Sequence, residues 1–317
     1  MSGSAYVEAE IASQPDTWRR AAALVTDSSI GSTGSIGSAA AALPRRGERV
    51  AVVGCGTSLY MAQSYAVLRE QAGLGETDAF AASEFPFGRR YDRIVALTRS
   101  GTTTEVVELL ERLRGLTPTV AVIADPDTPA PALADAAVVL DFADEKSVVQ
   151  TRFATTALTL VRAHIAAQSG TVFDIDSVAA DAQSCVTEPL PDGILDRTQF
   201  AFLGRGWTVG IANEAGLKLT EASLAWTQSH PAMEYRHGPI SIAAPGTVTW
   251  MFGDAPRGLA GQVAATGGAW VDACAAGRDP LAELIRVQRV AVALGGRKGL
   301  EVDSPRNLTR SVILSEV

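Results

Sequence analysis

Three residues of one helical pattern carry groups that could move protons. Glu214, Lys218 and Glu221 stand at i, i+4 and i+7 within Val209 to Trp226, a spacing that puts two carboxylates and an amine on one face of a helix. Two readings follow from spacing alone. The three form an acid–base group, or they form a solvated face whose Glu-to-Lys pair adds a few tenths of a kcal/mol. His237 lies in Met233-Glu234-Tyr235-Arg236-His237-Gly238-Pro239, where Gly and Pro predict a loop rather than a core helix, and an imidazole there can give and take protons. His164 and His230 read as ordinary. A second constellation is Thr98-Arg99-Ser100-Gly101-Thr102-Thr103-Thr104, five hydroxyls and a glycine between the apolar run Ile94 to Leu97 and the helical pattern Glu105 to Leu113. An ordinary helix start needs one capping hydroxyl. Five of them, with free N–H groups and the positive end of the helix dipole, suit a phosphate monoester.

Composition sets bounds. At 317 residues, 47% of them hydrophobic, the chain is long enough for about two domains. Its net charge is −8, from 27 basic and 35 acidic residues, and it has no basic stripe with aromatics, which argues against a nucleic-acid partner. No apolar run reaches membrane-spanning length. Cys55, Cys185 and Cys274 are scattered, with no CxxC pair and no signal peptide, so a cytoplasmic, reducing setting is expected. The absence of HxxxH or CxxC spacing predicts no metal.

The elements that must position these groups can be read in order. Glu8 to Ala23 carries a helical pattern with Pro15 at a helix start and Trp18 as an anchor. Ser28 to Ala42 reads as a flexible Ser/Gly/Ala loop. Arg49 to Val53 is a buried strand leading through Gly54-Cys55-Gly56-Thr57-Ser58 into a helix from Leu59 to Gln71. Gly56 lets a backbone approach a ligand closely, and Thr57 and Ser58 add hydroxyls. The third glycine of a dinucleotide fingerprint is missing, so no nicotinamide cofactor is expected, and the chain as a whole is expected to use no cofactor. Val120 to Ala124 and Ala137 to Leu140 supply further strands. Alternation of strand and helix predicts an α/β fold with a doubly wound parallel sheet whose ligands lie at the strands' carboxyl ends. Thr187 to Asp196, with Pro189 and Pro191, reads as a linker. Beyond it Phe202-Leu203-Gly204-Arg205-Gly206-Trp207 repeats Val52-Val53-Gly54-Cys55-Gly56-Thr57, an internal duplication. The second copy has Phe252-Gly253-Asp254-Ala255-Pro256 in place of the hydroxyl loop, so only the first half is expected to hold phosphate. The boundaries that follow are an N-terminal arm and loop at 1–45, a first domain at 46–185, a linker at 186–199 and a second domain at 200–317.

Gly54 to Ser58, Ser83-Glu84-Phe85, Thr98 to Thr103, Leu203 to Gly206, Glu214-Ala215-Gly216-Leu217-Lys218-Leu219-Thr220-Glu221, Arg236-His237-Gly238-Pro239 and Asp303-Ser304-Pro305-Arg306-Asn307-Leu308 occur in this order. Together they resemble the double sugar isomerase (SIS) domain family, in particular the isomerase half of glucosamine-6-phosphate synthase, while Glu145 to Arg152 looks closer to stand-alone amino-sugar-phosphate isomerases and deaminases. The resemblance implies two tandem flavodoxin-like subdomains. It also implies a phosphate held by Ser58, Thr98, Arg99, Ser100 and Thr103, with Arg99 where the synthase has glutamine. Glu221 would be the base between C1 and C2 of an open-chain sugar, supported by Glu214 and Lys218. His237 would open the ring from the partner subunit of a homodimer.

Two departures are expected to matter. The chain shows no glutaminase segment, and Ser2 rather than cysteine follows Met1, so it is not expected to draw ammonia from glutamine. The synthase's imine-forming lysine aligns with Arg310, whose guanidinium stays protonated and cannot form an imine; Arg310 would instead bind a hydroxyl or acyl oxygen near C1 and C2. The implied activity is C2 proton abstraction from an amino-sugar 6-phosphate, giving isomerisation with or without deamination. With an N-acetyl group, loss of the C3 hydroxyl is the alternative, and a non-catalytic phosphosugar sensor is the other.

Overall fold

A computed structural model of the chain describes residues 3–26, 39–272 and 277–314. Most of the expected Ser28 to Ala42 loop lies outside the described residues, as does Cys274; only Ala39–Ala42 at the loop's end is described, as a short helix. In order along the chain come α1 (Ala5–Ala12), α2 (Gln14–Thr26), α3 (Ala39–Ala42), β1 (Val50–Gly54), α4 (Thr57–Gln71), β2 (Thr77–Ala81), β3 (Arg93–Thr98), α5 (Thr104–Leu113), β4 (Thr119–Ile123), α6 (Pro129–Leu133), β5 (Ala136–Val139) and α7 (Arg152–Ser169). There follow α8 (Ile175–Thr187), β6 (Gln199–Gly204), α9 (Thr208–Ser223), β7 (Trp226–Pro231), β8 (Thr247–Met251), α10 (Leu259–Ala265), β9 (Ala269–Asp272) and α11 (Pro280–Arg297).

The first sheet runs β2-β1-β3-β4-β5, every pairing parallel, with Val50 opposite both Thr77 and Arg93. β1 and β4 are buried at every position, as strands covered on both faces must be, and their apolar runs show it. α5 lays Val106, Leu109, Leu110 and Leu113, one face at helical spacing, on Ala51, Val53, Ile94, Ala96 and Ile123. This is the flavodoxin-like strand order, and it reverses direction between β1 and β3. The Gly54–Ser58 and Thr98–Thr104 turns leave the carboxyl ends of those two strands, where such folds open a crevice.

The second sheet, β7-β6-β8-β9, repeats the plan with all strands parallel. α9 and α11 pack together over it. The expected helix from Val209 to Trp226 stops at Ser223, where Leu224 turns left-handed (φ 54°) and Trp226 starts β7 instead. The N-terminal pattern is two helices rather than one, parted at Ser13.

Two compact units contain these sheets. One comprises Asp16–Glu145, Arg152–Ile175 and Thr309–Val317; the other comprises Met1–Pro15, Lys146–Thr151 and Asp176–Leu308. The contiguous boundaries drawn from sequence at 45, 185 and 199 differ from this division. α1 joins the second-sheet unit because Asp303 accepts hydrogen bonds from the Tyr6 and Val7 N–H groups at its start (3.1 and 2.8 Å). α2 joins the first, where buried Trp18 donates to Thr155 Oγ1 at 2.9 Å. Among the described residues, no helix is long and apolar enough to cross a membrane.

Candidate functional site

In the first-sheet unit, Thr57, Ser58, Thr98, Arg99 and Ser100 are all buried, and Thr102, Thr103 and Thr104 half-buried. Gly56 (φ 54°) precedes α4, and Gly101 (φ 64°) bends the hydroxyl loop. A Cβ on Gly101 would lie 2.1 Å from Thr128 Oγ1 and 2.5 Å from Ile123 Cδ1, so only glycine fits there. The loop is held by its own hydroxyls. Thr98 Oγ1 accepts from Gly101 N–H at 3.2 Å, Ser100 Oγ accepts from Thr102 N–H at 3.3 Å, and Ser100 Oγ lies 3.5 Å from Thr103 Oγ1. Thr103 is the N-cap of α5 but its side chain makes no capping bond, so the N-terminal amides of that helix are not consumed by the cap. Burial, with Glu105 adding to it, pushes the neighbouring Cys55 thiol up to about 11, which leaves it protonated and non-nucleophilic at neutral pH.

Arg99 and Arg310 both turn to the Asp144–Glu145 stretch. The Arg99 guanidinium turns to Glu145, with Nη1 3.5 Å from Oε2, and donates from Nη2 to the Arg310 carbonyl at 2.8 Å. Arg310 donates to Asp144 Oδ1 at 2.6 Å and to the Glu145 carbonyl. Sequence reasoning assigned Asp144 and Glu145 no role; the position of Glu145 at the head of the family-like Glu145 to Arg152 segment was the available signal.

In the second-sheet unit, α9 brings Glu214, Lys218 and Glu221 together. Lys218 Nζ lies 2.5 Å from Glu221 Oε2 and 3.6 Å from Glu214 Oε1, and the side chains of Glu214, Lys218 and Glu221 are 1%, 1% and 19% exposed. This is not a solvated face. An amine and a carboxylate at 1% exposure require charged partners to offset desolvation, and only Glu221 keeps contact with solvent. His237 ends a short 3-10 turn, Glu234–His237, and is exposed. Its neighbour Arg236 fixes the turn through Gln262 and the Arg257 carbonyl, both at 2.7 Å. His164 is buried in α7, with burial holding it down at about 4, and His230 lies on the edge strand β7. Among the described residues, no group of three or more His, Cys, Asp or Glu side chains is arranged to hold a metal.

No family model matches the chain. Curated relatives do. A glutamine–fructose-6-phosphate aminotransferase of Nostoc sp. is 33% identical over 165 residues, covering 44% of this chain and 26% of that protein. The corresponding protein of Gloeobacter violaceus is 27% identical over 318 aligned positions, covering 84% of this chain and 52% of its own length. The chain thus spans between a quarter and about half of these relatives. Among solved structures, a glucosamine-6-phosphate deaminase from Thermotoga maritima superposes with a TM-score of 0.77 at 19% identity, covering 97% of this chain and 99% of that one. The C-terminal domain of glucosamine-fructose-6-phosphate aminotransferase from Francisella tularensis gives 0.76 at 20%, covering 93% and 97%. The chain shares the fold of these solved structures, parallel α/β sheets flanked by helices. A tagatose-6-phosphate ketose/aldose isomerase from Escherichia coli has the same fold, with a TM-score of 0.75 at 18% identity over 97% of this chain and 95% of that one.

Proposed function

We propose that this chain is an enzyme of the SIS family that isomerises an amino-sugar 6-phosphate of the glucosamine class, with or without release of the amine. The observation that carries the reading is the buried Glu214–Lys218–Glu221 group. Two carboxylates share one desolvated ammonium, and the single partly exposed member can meet a substrate. The hydroxyl loop takes the phosphate through Ser58, Thr98, Ser100 and Thr103, with Gly56 and Thr57 on the adjoining turn. A hydrogen beside a carbonyl is acidic in the open-chain sugar. Glu221 removes it from C2, the electron pair moves into an enediol(ate) or enaminol, and Glu221 returns the proton to C1. A free amine at C2 then becomes an imine, whose hydrolysis releases ammonia. Lys218, donating to Glu221, holds the carboxylate in place, and Glu214 balances the lysine. In the same reading the chain acts as a homodimer in which exposed His237 serves ring opening in the partner's site.

The test is Glu221→Gln, which keeps the shape and removes the basicity. With glucosamine 6-phosphate in D₂O, the wild type is expected to exchange the C2 hydrogen, seen by NMR, and to form product. The variant is expected to bind the sugar phosphate nearly normally, with turnover down by at least about 10²-fold and exchange lost in parallel. A wild-type protein that binds amino-sugar 6-phosphates, exchanges no C2 hydrogen and makes no product would be a phosphosugar sensor instead.

A further inference from the structure

The partners of Arg99 set it behind the hydroxyl loop. It follows Thr98 at the end of β3 and is 5% exposed. Its guanidinium meets Glu145 Oε2, 3.5 Å from Nη1, and donates from Nη2 to the Arg310 carbonyl at 2.8 Å. The Glu145 side chain, fully buried, also accepts the Arg152 N–H at the first position of α7 through Oε1 at 2.7 Å. Arg310 answers with its own side chain, to the Glu145 carbonyl and to Asp144 Oδ1 at 2.6 Å. The result is a closed ring: the Arg99 side chain holds the Arg310 backbone, the Arg310 side chain holds the 144–145 backbone and Asp144, and the Glu145 side chain holds Arg99. Beyond that ring the chain lies along the start of α5. Thr102 Oγ1 meets Ser311 Oγ at 2.7 Å, Thr104 N–H donates to the Val312 carbonyl at 3.1 Å, and Leu314 N–H donates to Thr104 Oγ1 at 2.8 Å.

We infer that Arg99 is a positioning residue rather than a phosphate ligand: through Glu145 and Arg310 it clamps the 310–314 segment onto the hydroxyl loop and thereby fixes the loop's shape for the anion. The segment engages Thr102 and Thr104 and takes one free N–H of the α5 terminus, which leaves Thr98, Ser100 and Thr103 as the anion donors of the loop. A planar guanidinium serves two partners in fixed directions, which an ammonium on a flexible stem does not. Charge alone at position 99 is therefore insufficient. The two arginines that set this chain apart from the synthase pattern act as one device, and neither is spent on the sugar's carbonyl chemistry. For turnover this inference rests on the proposed function; for the clamp itself it does not.

The experiment uses the full chain and three variants, Arg99→Gln, Arg99→Lys and Arg310→Ala. Amide hydrogen exchange is read at Thr104 and Leu314, inorganic phosphate affinity by calorimetry, and turnover with glucosamine 6-phosphate. All three variants are expected to speed exchange at both amides by at least about tenfold, because the bonds that shelter them lose their anchor. Inorganic phosphate should bind Arg99→Lys more weakly than wild type by no more than about 30-fold, since the loop loses its set shape but no direct ligand. Loss of positioning should appear in kcat, by about tenfold or more, with KM nearly unchanged. Unchanged exchange at Thr104 and Leu314 in Arg99→Gln overturns the clamp. So does a fall in phosphate affinity above about 30-fold in Arg99→Lys, which marks a direct ligand contact by the fork. Should the Arg99 variants fail to fold, Arg310→Ala, which leaves the Arg99–Glu145 pair intact, decides the exchange arm alone. A wild type that turns over no amino-sugar phosphate but shows the exchange pattern sinks the proposed function and leaves the clamp standing.

Discussion

Each sheet reverses its strand order at the same point, between β1 and β3 in the first and between β6 and β8 in the second, yet the two strand-end turns are finished differently. In the second, Thr208, 2% exposed, spends its hydroxyl on the turn itself. Its Oγ1 accepts from Arg205 N–H at 2.8 Å and is within donating distance of the Phe252 and Arg205 carbonyls, at 2.8 and 3.0 Å. Phe252 and Pro256 bring no further hydroxyl. In the first, Ser100 and Thr103 meet only at 3.5 Å, a contact at the limit of a hydrogen bond. The fold supplies a crevice twice, and side-chain choice makes one of them polar and the other self-closed. What the second unit lacks in anion donors it carries on α9, where Lys218 is buried between two carboxylates.

The largest expected effect tests the polar turn. Replacing Ser100 and Thr103 together by Ala should weaken inorganic phosphate and phosphosugar binding by up to about 3 to 6 kcal/mol, since each charge-assisted bond contributes about 1.5 to 3. Unphosphorylated sugars should bind alike to both forms. Calorimetry decides it, and undiminished affinity for the 6-phosphate would leave the two turns without a functional difference.

Sequence made the centre of both sheets legible and their edges much less so. β1, β3 and β4 are continuous apolar runs because helices cover both faces. β7, reading Trp226-Thr227-Gln228-Ser229-His230-Pro231 and only partly buried, has no such run, and Leu224 turns left-handed without the glycine that usually announces a helix end. The spacing of Glu214, Lys218 and Glu221 was visible, but not their burial, which depends on how α9 packs. The hydroxyl loop was legible from local chemistry. The Arg99–Glu145–Arg310 ring was not, since it joins residues from three separated stretches, and no local pattern encodes which carboxylate a buried arginine will find.

A middle-sized effect is expected from the closed turn. Thr208→Val keeps the shape and removes the hydroxyl, leaving the Arg205 N–H and Phe252 carbonyl short of a partner. Stability should fall by about 1 to 3 kcal/mol, read from the denaturant midpoint at constant slope, while phosphate affinity stays at the wild-type value. A matching loss of phosphate affinity would show the second turn to be part of the anion site, and the comparison would have to be redrawn.

The smallest effect concerns Gly253, which follows β8 with φ at 80°. A Cβ there would sit 3.1 Å from Thr208 Oγ1 and 3.6 Å from Thr208 Cγ2, tight but not impossible, and the left-handed backbone adds a penalty for any L side chain. Gly253→Ala should therefore cost about 1 to 2 kcal/mol in stability and, like Thr208→Val, leave phosphate affinity alone. Because the new methyl presses on the hydroxyl that closes the turn, the two substitutions are neighbours and should not add; their coupling is expected at about 0.5 kcal/mol or more. Strict additivity in a double-mutant cycle would mean that Thr208 does not hold the Phe252–Gly253 turn, and the contrast between a self-closed and a polar crevice would lose its structural cause.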